Sequence, residues 1–189
     1  INKVIIFAEN HDTNRINDFY PDFKNYKQML SVLMTLRGIP QIYYGSEIGM
    51  TGKKEQGDGD IRRDFPGGWK SDSQNAFTQN GRLPKQAQYF DFSKKIIQWR
   101  KTNTAVHFGK TLHYIPRDDV YVYFRFTDQE RVMVVVNNNT KDQSLTLDHY
   151  SEGIAGRTQA YEVISDQNFT LSEVLEVPAE TTLIMELSL

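Results

Sequence analysis

The chain has 189 residues, 39% apolar and 24% charged, enough for one good core or two modest ones in an ordinary globular protein. It has no cysteine, which excludes disulfides, zinc-thiolate sites, iron-sulfur clusters and a thiol nucleophile. A net charge of -2 and a pI near 6.1 argue against a nucleic-acid binder, and no apolar run reaches the roughly 18 residues that a membrane span needs.

The first residues, Ile1-Asn2-Lys3-Val4, open inside an apolar stretch with no lead-in, which suggests that the chain is a fragment. Val4 to Phe7 reads as a short strand buried on both faces. Polar residues able to do chemistry follow at once in Glu9-Asn10-His11-Asp12-Thr13-Asn14-Arg15. In parallel α/β sheets ligands gather at the carboxyl ends of strands, so His11 and Asp12 sit where a site is expected. A plain turn accounts for Asn10 to Asn14 equally well, because Asn, Asp and Thr are good turn formers.

Tyr26, Met29, Leu30, Leu33 and Met34 recur at helical spacing, which predicts a helix over Lys24 to Leu36 that Gly38 ends. A second strand is expected at Gln41 to Tyr44. Strand, helix and strand within this span make a βαβ unit, whose parallel strands bring their following loops to one face. Gly45 to Pro84 reads as a long polar loop, a length more often functional than not. Within it, Gly57-Asp58-Gly59-Asp60-Ile61-Arg62-Arg63-Asp64 sets charge beside flexible backbone. Tyr89, Phe92, Ile96 and Trp99 form one face of a second helix, Lys85 to Lys101, with Pro84 at its start.

From His107 onward the period changes to two. Strands are predicted at Val120 to Phe126, Arg131 to Val136, Ser144 to Leu147, Gln159 to Val163 and Thr181 to Leu187, which together read as a small antiparallel sandwich. Charge divides in the same place. Residues 1–104 carry 16 Lys+Arg and 11 Asp+Glu, and residues 105–189 carry 6 and 13, so the two parts are +5 and -7. The shift points to a domain boundary near residue 104.

Most site types fail on inventory. A metal phosphohydrolase of the His-Asp class needs further histidines, and His107, His113 and His149 all lie in the β-rich part. No Gly-x-Ser-x-Gly elbow is present for a serine nucleophile. A calcium loop starting at Asp58 breaks at Arg62, Arg63 and Trp69. A cleft with His, Asp, Arg and aromatic residues does suit carbohydrate, although Tyr43 and Tyr44 are more often core residues than sugar platforms.

Two stretches together are more specific. Phe7-Ala8-Glu9-Asn10-His11-Asp12 resembles the fourth conserved region of the α-amylase family, glycoside hydrolase family thirteen. Gly38-Ile39-Pro40-Gln41-Ile42-Tyr43-Tyr44-Gly45-Ser46-Glu47-Ile48-Gly49 resembles its G-x-P-x-x-Y-Y-G-x-E-x-G region. Their order and spacing match barrel strands seven and eight of that family. Val120 to Arg125 and Val177 to Thr182 resemble the C-terminal domain of bacterial cyclomaltodextrinases and neopullulanases, particularly those of Bacteroidetes.

The resemblance implies the last strands and helices of a (β/α)8 barrel in residues 1–104 and an antiparallel β-sandwich in residues 105–189. It implies that Asp12 is the transition-state stabiliser, that His11 binds the same sugar, and that Asp58 and Arg62 hold the next sugar. Relatives usually carry Pro where this chain has Gly59. The family's nucleophile and general acid lie on barrel strands four and five, outside this sequence, so the 189 residues alone are expected to be inactive. The implied partners are an α-glucan substrate and the missing N-terminal part of the barrel. No cofactor is implied, calcium sites of relatives lie mostly elsewhere, and an extracytoplasmic location is suggested. The alternatives are a non-catalytic glycan-binding or scaffold homologue and, less well matched, the His-Asp phosphohydrolase.

Overall fold

A computed structural model describes residues 3–189. Strand β1 (Ile5–Phe7) is followed by a short helix α1 (Ile16–Phe19), helix α2 (Phe23–Thr35) and strand β2 (Ile39–Gln41). The strands pair in parallel with Ile5 opposite Ile39 and Phe7 opposite Gln41, as a βαβ unit requires. Gly38 makes the return possible. Its φ is +122°, and a Cβ there would meet the Val4 carbonyl and the Ile6 side chain.

Two expectations for this unit are corrected. The second strand is Ile39–Gln41, not Gln41 to Tyr44, because Tyr43 already accepts from Ser46 in the turn that follows. The first strand is not buried on both faces. Val4, Ile5 and Phe7 are exposed, and only Ile6 packs against the core. With just two strands in the sheet and helices on one side of it, nothing in residues 3–189 covers the other face.

The long connection after β2 is a chain of short helical turns and one four-residue helix, α3 (Asp58–Ile61). Helix α4 (Pro84–Thr102) starts with proline in its first turn, and the Gln86 side chain accepts from the Leu83 N–H at 2.9 Å. It packs on α2 through an aromatic cluster, with the Tyr26 and Tyr89 rings 4.7 Å apart and the Phe23 and Tyr89 rings 4.9 Å apart. The Tyr26 hydroxyl, buried with them, hydrogen-bonds Ser93 at 2.8 Å.

Helix α5 (Thr104–Phe108) leads into strands β3 (Lys110–His113), β4 (Val120–Phe126) and β5 (Arg131–Asn137). Strand β6 (Gln143–Thr146) and helix α6 (Ser151–Ile154) follow, then β7 (Gln159–Glu162), β8 (Gln167–Thr170), β9 (Val174–Val177) and β10 (Thr181–Ser188). Six strands form an antiparallel sheet in the order β3-β4-β5-β10-β7-β8, and β6-β9 forms a two-stranded layer. The expected antiparallel sandwich is therefore present. Strands β3, β8 and β9, which alternation did not pick out, complete it. They are short, and each pairs along only four residues.

The large sheet uses both faces. Val122, Phe124, Met133, Val135, Met185 and Leu187 meet Leu175 and Val177 of β9 on one side. Tyr123, Val132, Val134 and Ile184 meet Leu30, Met34, Phe92 and Ile96 of α2 and α4 on the other. One apolar core thus crosses residue 104. Two buried arginines pin the same junction: Arg100 donates to the carbonyls of Met34 and Gly38, and Arg125 donates to Val106 and Gly109 at 3.0 Å each. Burial pulls the Arg125 guanidinium down to about 10, with neighbouring Arg100 adding to the effect.

Gly153 in α6 lies directly over the Phe124 ring, where a Cβ would sit well inside contact distance. Gly153→Ala is expected to lower stability by about 1 to 3 kcal/mol through overpacking, read as a drop in Tm by thermal denaturation.

Candidate active site

The loop after β1 is built on one buried ion pair. Glu9 and Arg15 are 3% and 0% exposed. Arg15 Nη1 lies 3.3 Å from Glu9 Oε1 and 2.7 Å from the Tyr44 carbonyl, and its Nε donates to the Ile61 carbonyl at 3.0 Å. Its guanidinium stacks 3.9 Å from the centre of the Tyr43 ring. Glu9 also accepts from the Ile16 N–H at 2.5 Å and from the Ser46 hydroxyl. The pair fastens the end of β1 to the turn after β2 and to α3. Neither residue carried a predicted role. Glu9 lies inside the Phe7 to Asp12 motif and Arg15 three residues beyond it, but nothing local marks them as partners.

On this base the four expected site residues come together. Asn10 Oδ1 accepts from the Asp12 N–H at 2.8 Å, closing a turn that presents His11 and Asp12 to solvent. Arg62, at the end of α3, donates to Asp12 Oδ1 at 2.9 Å and to the His11 carbonyl at 2.9 Å. It also pairs with Asp58 Oδ2 at 2.9 Å, one helical turn back. His11 Nε2 stands 3.2 Å from Asp12 Oδ2. Lys54, unremarked in the sequence, bridges the carboxylates, bonded to Asp58 and 3.9 Å from Asp12.

Tyr43 is half-buried under Arg15, and Tyr44 is more exposed, its hydroxyl donating to the Arg63 carbonyl at 2.8 Å. These tyrosines hold the loops together. Gly59, where the family resemblance leads one to expect proline, lies in the first turn of α3 with open space where a Cβ would sit and no left-handed φ. The helical turn brings Asp58 and Arg62 together without the ring.

The arrangement offers two carboxylates, a guanidinium, an ammonium and an imidazole, all partly open to water. Such a set hydrogen-bonds neighbouring hydroxyls well. Among the described residues, no group of three or more His, Asp or Glu side chains is placed to hold a metal ion. Within the described residues, the His-Asp phosphohydrolase alternative finds no further ligands beside His11 and Asp12. No helix among the described residues is long and apolar enough to cross a membrane.

Comparison with known proteins gives the class. Residues 111–186 match the family model described as the cyclo-malto-dextrinase C-terminal domain. The chain is 29% identical over 184 residues to a cyclomaltodextrin glucanotransferase of Niallia circulans, across 91% of this chain and 23% of that protein. It is 32% identical over 139 residues to the same kind of enzyme from Bacillus sp. (strain 6.6.3), across 74% of this chain and 17% of that protein. An α-amylase of Geobacillus thermoleovorans solved with acarbose has the same fold, with a TM-score of 0.76 at 23% identity over 99% of this chain and 39% of that one. An Anoxybacillus α-amylase gives 0.78 at 21% identity, over 99% and 38%.

The chain belongs to the α-amylase family, glycoside hydrolase family thirteen. Within it, residues 111–186 are a C-terminal domain of the cyclomaltodextrinase type. The chain spans less than a quarter of the length of these curated relatives.

Two predictions follow from the site's charges. Arg15→Met strands the buried Glu9 carboxylate and is expected to cost about 3 to 5 kcal/mol, measured by urea denaturation. The Asp58 carboxyl is held below its ordinary value, chiefly by the Lys54 hydrogen bond and then by the Arg62 and Lys54 charges. Its stabilising contribution is therefore present above the ordinary carboxyl pKa and is lost as pH falls through the depressed one. Carboxyl NMR titration should give a low midpoint that Lys54→Met moves back up.

Proposed function

We propose that this chain is the C-terminal part of a retaining α-glucan hydrolase that cleaves α-1,4 bonds of maltodextrins, cyclomaltodextrins or pullulan. Residues 1–104 contribute the last two βα units of a (β/α)8 barrel, and residues 105–189 the sandwich that follows. Asp12 stabilises the transition state, His11 binds the same sugar ring, and Asp58 and Arg62 bind the next ring. The observation that carries this reading is the convergence of Asp12, His11, Asp58 and Arg62, from two loops that follow neighbouring parallel strands.

In glycoside hydrolysis the sugar flattens and gains positive charge, so a carboxylate whose hydrogen bonds to the ring hydroxyls tighten in the transition state lowers the barrier. Asp12 has the chemistry for that task. In this structure its carboxylate is occupied by Arg62, so a sugar entering the site takes over that hydrogen bond. A retaining enzyme also needs a nucleophile and an acid about 5 to 5.5 Å apart. This reading assigns both to upstream chain, in keeping with the small share of its relatives that the chain spans. The 189 residues alone are accordingly inactive. The open faces of Val4, Ile5, Phe7 and Ile39 are where the preceding barrel strands would pack.

Asp12→Asn in the full-length protein tests the assignment. Maltooligosaccharide hydrolysis should fall about a hundredfold or more, with the fold intact by circular dichroism. Turnover near wild type would refute it.

A further inference from the structure

Four charged side chains of the site form a ring with one open link. Lys54 donates to Asp58 Oδ1, Asp58 Oδ2 lies 2.9 Å from Arg62, and Arg62 donates to Asp12 Oδ1 at 2.9 Å. The last side, from Asp12 Oδ1 back to the Lys54 ammonium, is 3.9 Å. That is an ion-pair distance, too long for a hydrogen bond. An ammonium carries three donors and no acceptor. Among the described residues Asp58 takes one of them, and the Lys54 side chain is 43% exposed, so two donors remain for a ligand.

The backbone holds this ammonium in place from both sides. Lys54 opens the short helical turn Lys54–Gln56, in which the Gly57 N–H donates to the Lys54 carbonyl at 2.9 Å. Its own N–H donates to Asn14 Oδ1 in the loop after β1, and the neighbouring Lys53 N–H donates to Asp60 Oδ2 of α3 at 2.6 Å. Two residues before Lys54, the Gly52 carbonyl accepts from the Arg15 N–H at 2.8 Å. Gly52 also lies so close to the Asp60 carbonyl that no Cβ fits there. Lys54 therefore stands on the same clamped loops as Asp12 and Asp58.

The open link fits a hydroxyl. A hydroxyl donates one hydrogen bond and accepts others, so one oxygen about 2.8 Å from each of two groups 3.9 Å apart satisfies both. An anionic ligand would meet Asp12 and Asp58 here, and a cationic one Lys54 and Arg62; a neutral polyol is opposed by neither. His11 occupies the other carboxylate oxygen of Asp12, at 3.2 Å. Once a sugar has taken the place of Arg62 on Asp12 Oδ1, its hydroxyl is within reach of the Lys54 ammonium.

We infer that Lys54 is a substrate-binding residue: a hydroxyl of the sugar held by Asp12 sits between Asp12 and the Lys54 ammonium, donating to the first and accepting from the second. The inference rests on the α-glucan reading of the site. Positive charge grows on the sugar toward the transition state, so a cation beside it gives no extra hold there. The contact is made with the bound sugar, and its loss shows in KM rather than in kcat.

The test uses the full-length protein and whichever of maltoheptaose, a cyclomaltodextrin and pullulan it hydrolyses best. Lys54→Met should raise KM about 10-fold, with kcat within about twofold of wild type and the fold intact by circular dichroism. The Asp58→Asn background separates contact from support. A lysine that acts only by holding Asp58 has no further effect there, whereas a lysine that touches the sugar still raises KM several-fold when it is replaced. An unchanged KM in the single variant, a fall in kcat in place of the rise in KM, or disappearance of the effect in the Asp58→Asn background overturns the contact. Wild-type turnover separates the two ideas: if none of the three substrates is hydrolysed the α-glucan reading fails and the Lys54 contact with it, and if one is, a negative result falls on Lys54 alone.

Discussion

The candidate site depends on the buried pairing of Glu9 with Arg15. Two opposite charges taken out of water are costly unless most of their remaining donors and acceptors find partners. Here the Tyr44 and Ile61 carbonyls, the Ser46 hydroxyl, the Ile16 N–H and the Tyr43 ring supply them, and Arg15 Nη2 alone of the guanidinium nitrogens has no hydrogen-bond partner. The partners come from three stretches of backbone, at Ile16, at Tyr43 to Ser46 and at Ile61. The pair therefore acts as a clamp, and the relative position of the loops after β1 and β2 follows from it. His11, Asp12, Asp58 and Arg62 stand on those clamped loops and are themselves largely open to solvent. Their own ion pairs, being exposed and screened, could not hold the loops alone.

The second constraint is the shared core. The large antiparallel sheet has two apolar faces, one for the β6-β9 layer and one for α2 and α4. Tyr123, one of its most buried residues, places its hydroxyl 2.5 Å from Thr35 Oγ1 at the end of α2. Arg100 and Arg125 supply positive charge to the carbonyl end of that helix, where the helix dipole favours it. The β-rich part thus acts as a base that fixes α2, and α2 in turn fixes the two strands whose ends carry the site. The charge change near residue 104 marks a change in surface composition, and the apolar core runs through it.

Much of this was legible in the sequence where the signal is periodic. Tyr26, Leu30, Leu33 and Met34 mark α2, and Val120 to Phe126 marks β4, because a helical stripe and a strand's alternation repeat within a few residues. Strand β2 was misplaced because Ile42, Tyr43 and Tyr44 have strand-like side chains, while the backbone there already turns under Arg15. Strand β1 looked buried because a run of Val, Ile and Phe usually is. Its exposure depends on how many neighbouring strands are present, and a local pattern does not count neighbours. The short strands β3, β8 and β9 owe their form to partners far along the chain.

By itself the sequence determined the kinds of element, the two family motifs and four polar residues worth watching. Their chemistry and spacing are local properties, written in consecutive residues. The tertiary structure decided that Arg62 reaches Asp12 across 50 positions, that Glu9 and Arg15 go underground together, and that an indole at position 69 is left outside. Burial of a charge, or exposure of an aromatic ring, depends on which distant segments arrive beside it, and that is settled only when the chain is folded.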